Sequence, residues 1–180
     1  MVAPVGDVKP GGLNTFFERA KDVGTEVFCA SYQDVKSDLE KEIRSFGLIV
    51  GAELEEDFER FLASAVPDRL VHYESASLED LAKADACVTA TSELVSLSGS
   101  VVLVSHNVNH RRATSLAPNL FILCHHPVVY LSVSDYLEHA RLEPNSTLTF
   151  VSGPSSTGDI EQILIRGVHG PKRVKVYIYE

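Results

Sequence analysis

Apolar and polar positions in the first half of the chain follow two rhythms in turn. Gln33 to Phe46 carries Val35, Leu39, Ile43 and Phe46 at helical spacing, and Gly47 stops the run. Leu54 to Ala65 repeats the pattern with Phe58, Phe61 and Leu62 on one side, and Pro67 closes it. Phe16 to Lys21 opens a further helix that ends near Gly24, and Ser77 and Asp80 stand in a capping-box relation at the start of a short one. Between these lie short runs suited to strands: Thr25–Cys29, Leu48–Val50, Leu70–Tyr73 and Ala86–Thr89. Strand and helix alternate with few hairpin signals, which predicts a mostly parallel sheet covered by helices.

The second half reads differently. Leu94 to Val104 holds Ser98-Gly99-Ser100 between two apolar stretches, either two strands joined at a glycine turn or one strand with a glycine bulge. Leu120–Cys124 is the most apolar run and is expected to be the central strand, and Ser132–Arg141 returns to a helix with Val133, Tyr136, Leu137 and Ala140 inward. Two more strands, Leu148–Val151 and Val174–Tyr179, flank a segment rich in Gly, Pro and hydroxyls. Within that segment a short helix is expected from Asp159 to about Ile165, with Gly167 and Gly170 past its end. A strand, a Gly/Ser/Thr loop and a helix N-terminus together make an anion site; the same residues also read as a turn in which Asp159 satisfies the helix's own donors.

Composition narrows the class. With 180 residues, 44% hydrophobic and 23% charged, the chain is expected to form one soluble domain, residues 13–180, preceded by a loose arm over residues 1–12. No run approaches a membrane span, and the opening residues lack a basic segment followed by an apolar core, so a cytoplasmic protein without a secretory signal is expected. Cys29, Cys87 and Cys124 lie in strand-like surroundings without metal-ligand spacing and read as reduced core thiols. The absence of Cys-x-x-Cys means that no iron–sulfur cluster is expected in this chain. A net charge of −9 argues against nucleic acid, whereas Arg166, Lys172, Arg173 and Lys175 cluster near the Gly/Ser-rich segment and Arg111 and Arg112 form a second group, a pattern suited to a small anionic metabolite or simply to a solvated face.

Two segments carry a family resemblance. Ser152-Gly153-Pro154-Ser155-Ser156-Thr157-Gly158-Asp159-Ile160-Glu161, followed by Gly167-Val168-His169-Gly170-Pro171, closely resembles the carboxy-terminal signature of LUD-domain proteins of the lactate utilization protein C (LutC/YkgG-like) family. Leu97-Ser98-Gly99-Ser100 falls where that family has Glu-Thr-Gly-Thr/Ser, and Arg112 to Pro118 falls where it has an Arg, then Ser-Leu, then Pro. The family's acidic residue is here Leu97, and its Arg within Gly-Pro-Ser-Arg-Thr is here Ser156, which removes a bidentate donor from any anion cradle. The resemblance implies an α/β fold, a Rossmann-like three-layer sandwich with a mostly parallel sheet, akin to the NagB/RpiA/CoA-transferase-like fold. It also implies an accessory or ligand-binding subunit that acts beside iron–sulfur partner proteins when L-lactate is oxidised to pyruvate. A stand-alone enzyme acting on a sugar phosphate or CoA ester is the alternative.

The candidate ligand-binding residues are Ser98, Gly99, Ser100, Arg112, Gly153, Pro154, Ser155, Ser156, Thr157 and Gly170, with Lys172 beside them. His169, oriented by Asp159 or Glu161, is the candidate acid/base; its other reading is a brace for the glycine turn. His125 and His126 are adjacent on a strand and so face opposite ways, and His106 and His110 are four apart in what reads as a loop; no metal and no cofactor are expected. No nucleophile elbow, dinucleotide fingerprint or Walker loop is present.

Overall fold

The structure, a computed structural model, describes residues 12–158, 164–166 and 170–180. In chain order its elements are α1 (Gly12–Asp22), β1 (Glu26–Cys29), α2 (Tyr32–Ile43), β2 (Ile49–Ala52), α3 (Glu56–Ala65), β3 (Leu70–His72), α4 (Leu78–Lys83), β4 (Ala86–Val95), β5 (Ser100–Ser105), α5 (Val108–Leu116), β6 (Asn119–Tyr130), α6 (Val133–His139), β7 (Thr147–Val151), β8 (Ser156–Gly158), β9 (Leu164–Arg166) and β10 (Arg173–Tyr179). Six strands form a parallel sheet in the order β1-β10-β6-β4-β2-β3. β6 is central, as its apolar run requires. β5 adds antiparallel to the far end of β4, and β7 adds antiparallel to β5.

Local signals explain the covering helices. Ser31 caps α2 by accepting from the Asp34 amide, and Val35, Leu39 and Ile43 follow at four-residue spacing, all buried. These side chains, with Phe58 and Leu62 of α3, pack on Ile49, Ala86, Val88, Phe121, Leu123, Tyr177 and Tyr179. The alternate strand residues Val50, Cys87, Leu120, Ile122, Cys124, Val174 and Val176 face the opposite way, toward Phe16 and Ala20 of α1, Leu81 of α4 and Ala113 of α5. The result is the expected α/β sandwich of three layers. A smaller cluster of Val95, Val102 and Tyr136 lies under α6.

Several expectations are corrected. Leu164 and Ile165, expected to end a helix, belong to β9, which pairs antiparallel with β8 through Gly158↔Leu164, Thr157↔Ile165 and Ser156↔Arg166. The apolar, partly β-branched run there suits a ladder better than a helical turn; Asp159 to Ile163 lie outside the described residues. His110, expected in a loop, sits in α5. That helix was hidden because it buries His110, Ala113 and Thr114 instead of an aliphatic stripe. Leu137 points outward at 52% exposure, and Cys29 is exposed while Cys87 and Cys124 are buried.

One irregularity shapes the carboxyl end of the sheet. β4 and β6 stay in register to Thr91↔Cys124 and resume at Glu93↔Val128, so His125, His126 and Pro127 stand opposite the single residue Ser92. His126 takes a left-handed φ of 43° at this bulge, and Glu53, just past β2, takes φ 49°.

Candidate functional site

The sequence-predicted site residues separate into those that meet and those that do not. Ser100 Oγ lies 2.6 Å from Ser98 Oγ and 2.6 Å from Ser152 Oγ, so the β4–β5 turn does join the segment after β7. The space beside the two glycines at that junction is filled by α1 and by Val23, just past its end. A Cβ on Gly99 (φ 60°) would stand 2.8 Å from the Ala20 Cα, and one on Gly153 (φ 78°) would stand 2.9 Å from the Val23 carbonyl carbon. Pro154 is buried, Ser156 Oγ donates to the Pro154 carbonyl at 3.3 Å, and Thr157 lies in β8. Gly170 rests on Ser155, whose amide donates to the Pro171 carbonyl at 2.8 Å. Arg112 is exposed on α5 and reaches Asn109 Oδ1 at 3.4 Å; no contact brings it to the serine junction. His169 and Asp159 lie outside the described residues.

Two of the clustered cations are already occupied. Arg173 is held by Glu26 and Glu42, and Lys175 by Asp38 at 2.5 Å and Glu42 at 2.9 Å. They fasten β10 to β1 and α2, and do not form an anion patch. Lys172 is exposed, and its amide donates to the Pro118 carbonyl.

A different group of residues converges just past the carboxyl end of β2, beside Thr89 of β4, which pairs with the last β2 residue, Ala52. His110 is 1% exposed in the first turns of α5. Asn107 caps that helix by accepting from the Asn109 amide, Asn109 Nδ2 donates to the Ala76 carbonyl, and Thr114 Oγ1 donates back to the His110 carbonyl, which together fix the ring. Its Nε2 lies 3.2 Å from Thr89 Oγ1 on β4. Its Nδ1 lies 3.1 Å from Glu53 Oε1, yet off the line a hydrogen bond needs, so that buried nitrogen has no hydrogen-bond partner. The Tyr73 ring packs 5.7 Å from the imidazole. Burial first, then the carboxylates of Glu53 and Glu74, push the Tyr73 hydroxyl's pKa up.

On the other face of the sheet, His125 Nδ1 lies 3.2 Å from Glu55 Oε1, and its ring stacks on Tyr179 at 4.9 Å. Glu53 and Glu55, just past β2, therefore each face one histidine, on opposite faces of the sheet. Thr89 is fully buried and Glu53 is 29% exposed, so the carboxylate, not the hydroxyl, meets solvent. A Thr-His-Glu hydrolase is thereby excluded, because its nucleophile would be sealed. Sequence reading missed this group. Its only signal was Glu53-x-Glu55 after an apolar strand and a histidine on a helix without an aliphatic stripe. The serine junction stands apart from it: Ser100 and Ser105 close opposite ends of β5, about 16 Å apart at strand rise.

Among the described residues no group of three His, Cys, Asp or Glu is placed to hold a metal ion, and no helix is long and apolar enough to cross a membrane.

A sequence model described as LUD domain matches residues 13–179. Lactate utilization protein C of Deinococcus radiodurans is 33% identical over 102 residues, covering 55% of this chain and 48% of that protein. Lactate utilization protein C of Halalkalibacterium halodurans is 32% identical over 110 residues, covering 57% and 47% respectively. The chain thus spans about half the length of the curated relatives it matches. The crystal structure of a DUF162 family protein from Deinococcus radiodurans shares the fold with TM-score 0.68 and 18% identity, over 98% of this chain and 100% of that one.

Proposed function

This chain belongs to the LUD domain family, and from that premise we propose that it serves lactate utilization as an accessory, ligand-binding subunit. In this proposal it works beside iron–sulfur partner proteins in oxidising L-lactate to pyruvate and supplies no redox centre itself. The observation that carries the reading is the set of relatives named lactate utilization protein C, 30–34% identical to this chain over about half its length. The carboxyl-edge group around Glu53 and His110 is proposed as the ligand-contacting part. The serine junction of Ser98, Ser100 and Ser152 is proposed to anchor α1, since its hydroxyls bind one another and its glycines abut that helix.

The test is genetic and biochemical. Expressed in a bacterium deleted for its own lactate utilization protein C, the chain should restore growth on L-lactate and co-purify with cluster-bearing proteins of that system. Failure of both would remove this reading. Turnover of a sugar phosphate or CoA ester by the isolated chain would replace it with the stand-alone enzyme.

A further inference from the structure

We propose that the cleft between α1 and β1 binds a small monocarboxylate with an apolar body, held by Lys21 and Thr25. This site is independent of the lactate-utilization reading above. It lies at the β1 edge of the sheet, four strand positions, or about 19 Å, from β2 and the Glu53–His110 group.

The way α1 ends builds the cleft. The Gly24 amide donates to the Lys21 carbonyl at 3.0 Å and the Thr25 amide to the Ala20 carbonyl at 2.8 Å, with Gly24 left-handed at φ 85°. These two bonds close the helix and turn the chain directly into β1. Phe17 and Lys21, four apart, share one face of α1. Thr25, just before β1, and Val27 and Cys29 within it alternate onto one face of the strand. Together with Glu26 they line a cavity of about 570 Å³, a volume typical of small-molecule sites. β1 is an edge strand, so the cleft stays open on that side.

The chemistry of the lining selects the ligand. Thr25 is 5% exposed, and its Oγ1 has no hydrogen-bond partner. At this position past a helix an apolar residue is usual, and a valine of the same shape would avoid the cost of a buried, unpaired hydroxyl; a ligand oxygen satisfies it. Lys21 is exposed, and among the described residues it has no ion-pair partner, since its neighbour Asp22 is taken by Arg19 at 3.4 Å. The carboxylate on the wall, Glu26, is neutralised by Arg173, with each of its oxygens 2.6 Å from a guanidinium nitrogen. The cleft therefore offers one uncompensated positive charge, one free hydroxyl and the apolar surfaces of Phe17 and Val27. A carboxylate accepts from the Lys21 ammonium and the Thr25 hydroxyl, and its hydrocarbon body covers the two apolar side chains. A doubly charged phosphate would be left half neutralised by the single lysine.

Cys29, exposed on the wall of the cleft, reports its occupancy. The full chain is alkylated with iodoacetamide, an uncharged reagent, and modification of Cys29 is followed by mass spectrometry as hexanoate or phenylacetate is titrated in. Both acids should slow alkylation saturably, and hexan-1-ol, equal in length to hexanoate but uncharged, should require a concentration about tenfold higher. Lys21→Met, at an exposed position, keeps an apolar stem and should abolish that preference. Thr25→Val should raise the melting temperature of the unliganded chain and weaken hexanoate about threefold or more. No protection by either acid, equal protection by the alcohol, or an unchanged preference in Lys21→Met would each overturn the proposal. Slow alkylation of Cys29 before any acid is added would mean that another part of the chain fills the cleft. Protection that rises with protein concentration alone would put a second copy there, and either result overturns the proposal as well.

Discussion

Arg173 grips Glu26 and Glu42 at once. Its Nε and Nη2 each lie 2.6 Å from a Glu26 oxygen, and its Nη1 and Nη2 lie 2.6 and 2.8 Å from the Glu42 oxygens. One side chain thereby ties the edge strand β1 and the helix α2 to β10, across more than 130 residues of sequence. Lys175 and Tyr177 extend the network by donating to Asp38, and Lys175 also reaches Glu42.

Acid should attack this network first. Hydrogen bonding from Arg173, then from Lys175 with its charge, outweighs burial and holds the Glu42 carboxyl at about 2, against an ordinary 4.5. A lowered folded value means stability that is fully present above about pH 4.5 and is lost as pH falls toward about 2. Glu42→Gln should cost about 2 kcal/mol near neutrality and flatten the stability–pH curve across that window. Urea midpoints measured from pH 6 downward check both; an unchanged slope would show that the bridge contributes nothing.

The packing of α1 against the two glycine turns is equally testable. At left-handed φ, Gly99→Ala forces a Cβ into the α1 backbone, and Gly153→Ala forces one into the Val23 backbone just past it. Each should lower stability by more than about 2 kcal/mol, with no phosphate, CoA ester or hydroxy acid restoring it. Ligand-dependent recovery would instead place an anion at the junction.

Much of this architecture was legible beforehand, for a physical reason. Val35, Leu39 and Ile43 or Phe58 and Leu62 mark helices because aliphatic residues must share a face, and β6 announces itself as the strand buried on both sides. The site was less legible for a matching reason. α5 buries a histidine, an alanine and a threonine, so its periodicity is written in residues that hydrophobic patterning ignores. Glycines at 99 and 153 looked like a ligand cradle because a close approach of backbone leaves the same trace whether the neighbour is an anion or a helix. The basic cluster misled in the same way, since sequence does not show that Glu26, Asp38 and Glu42 fold onto Arg173 and Lys175.

Thiol chemistry offers a simple check on the two cores. Cys87 and Cys124 are buried, and burial, with a smaller push from Glu93, raises the Cys124 thiol to about 12. Of the three cysteines, Cys29 is exposed at the end of the edge strand. Native protein should therefore release one equivalent of thionitrobenzoate rapidly, and Cys29→Ser should release none until denaturant is added. Two fast thiols would mean that the parallel sheet is open at β4 or β6.

Strain at Glu53 makes the sharpest prediction about where function sits. A left-handed φ costs a β-carbon-bearing residue about 1–2 kcal/mol, and glycine escapes that cost. Removing the carboxylate also removes its 3.1 Å contact with His110 Nδ1, and does so equally in an alanine and a glycine variant. The difference between the two variants then isolates the backbone: Glu53→Ala, which keeps the strain, should fall about 1 kcal/mol below Glu53→Gly. Thermal and urea unfolding of the two variants checks that order. A glycine variant less stable than the alanine one would mean that the left-handed turn stores no strain. The strained glutamate would then no longer point to a functional position, and the case for this carboxylate would rest on His110 alone.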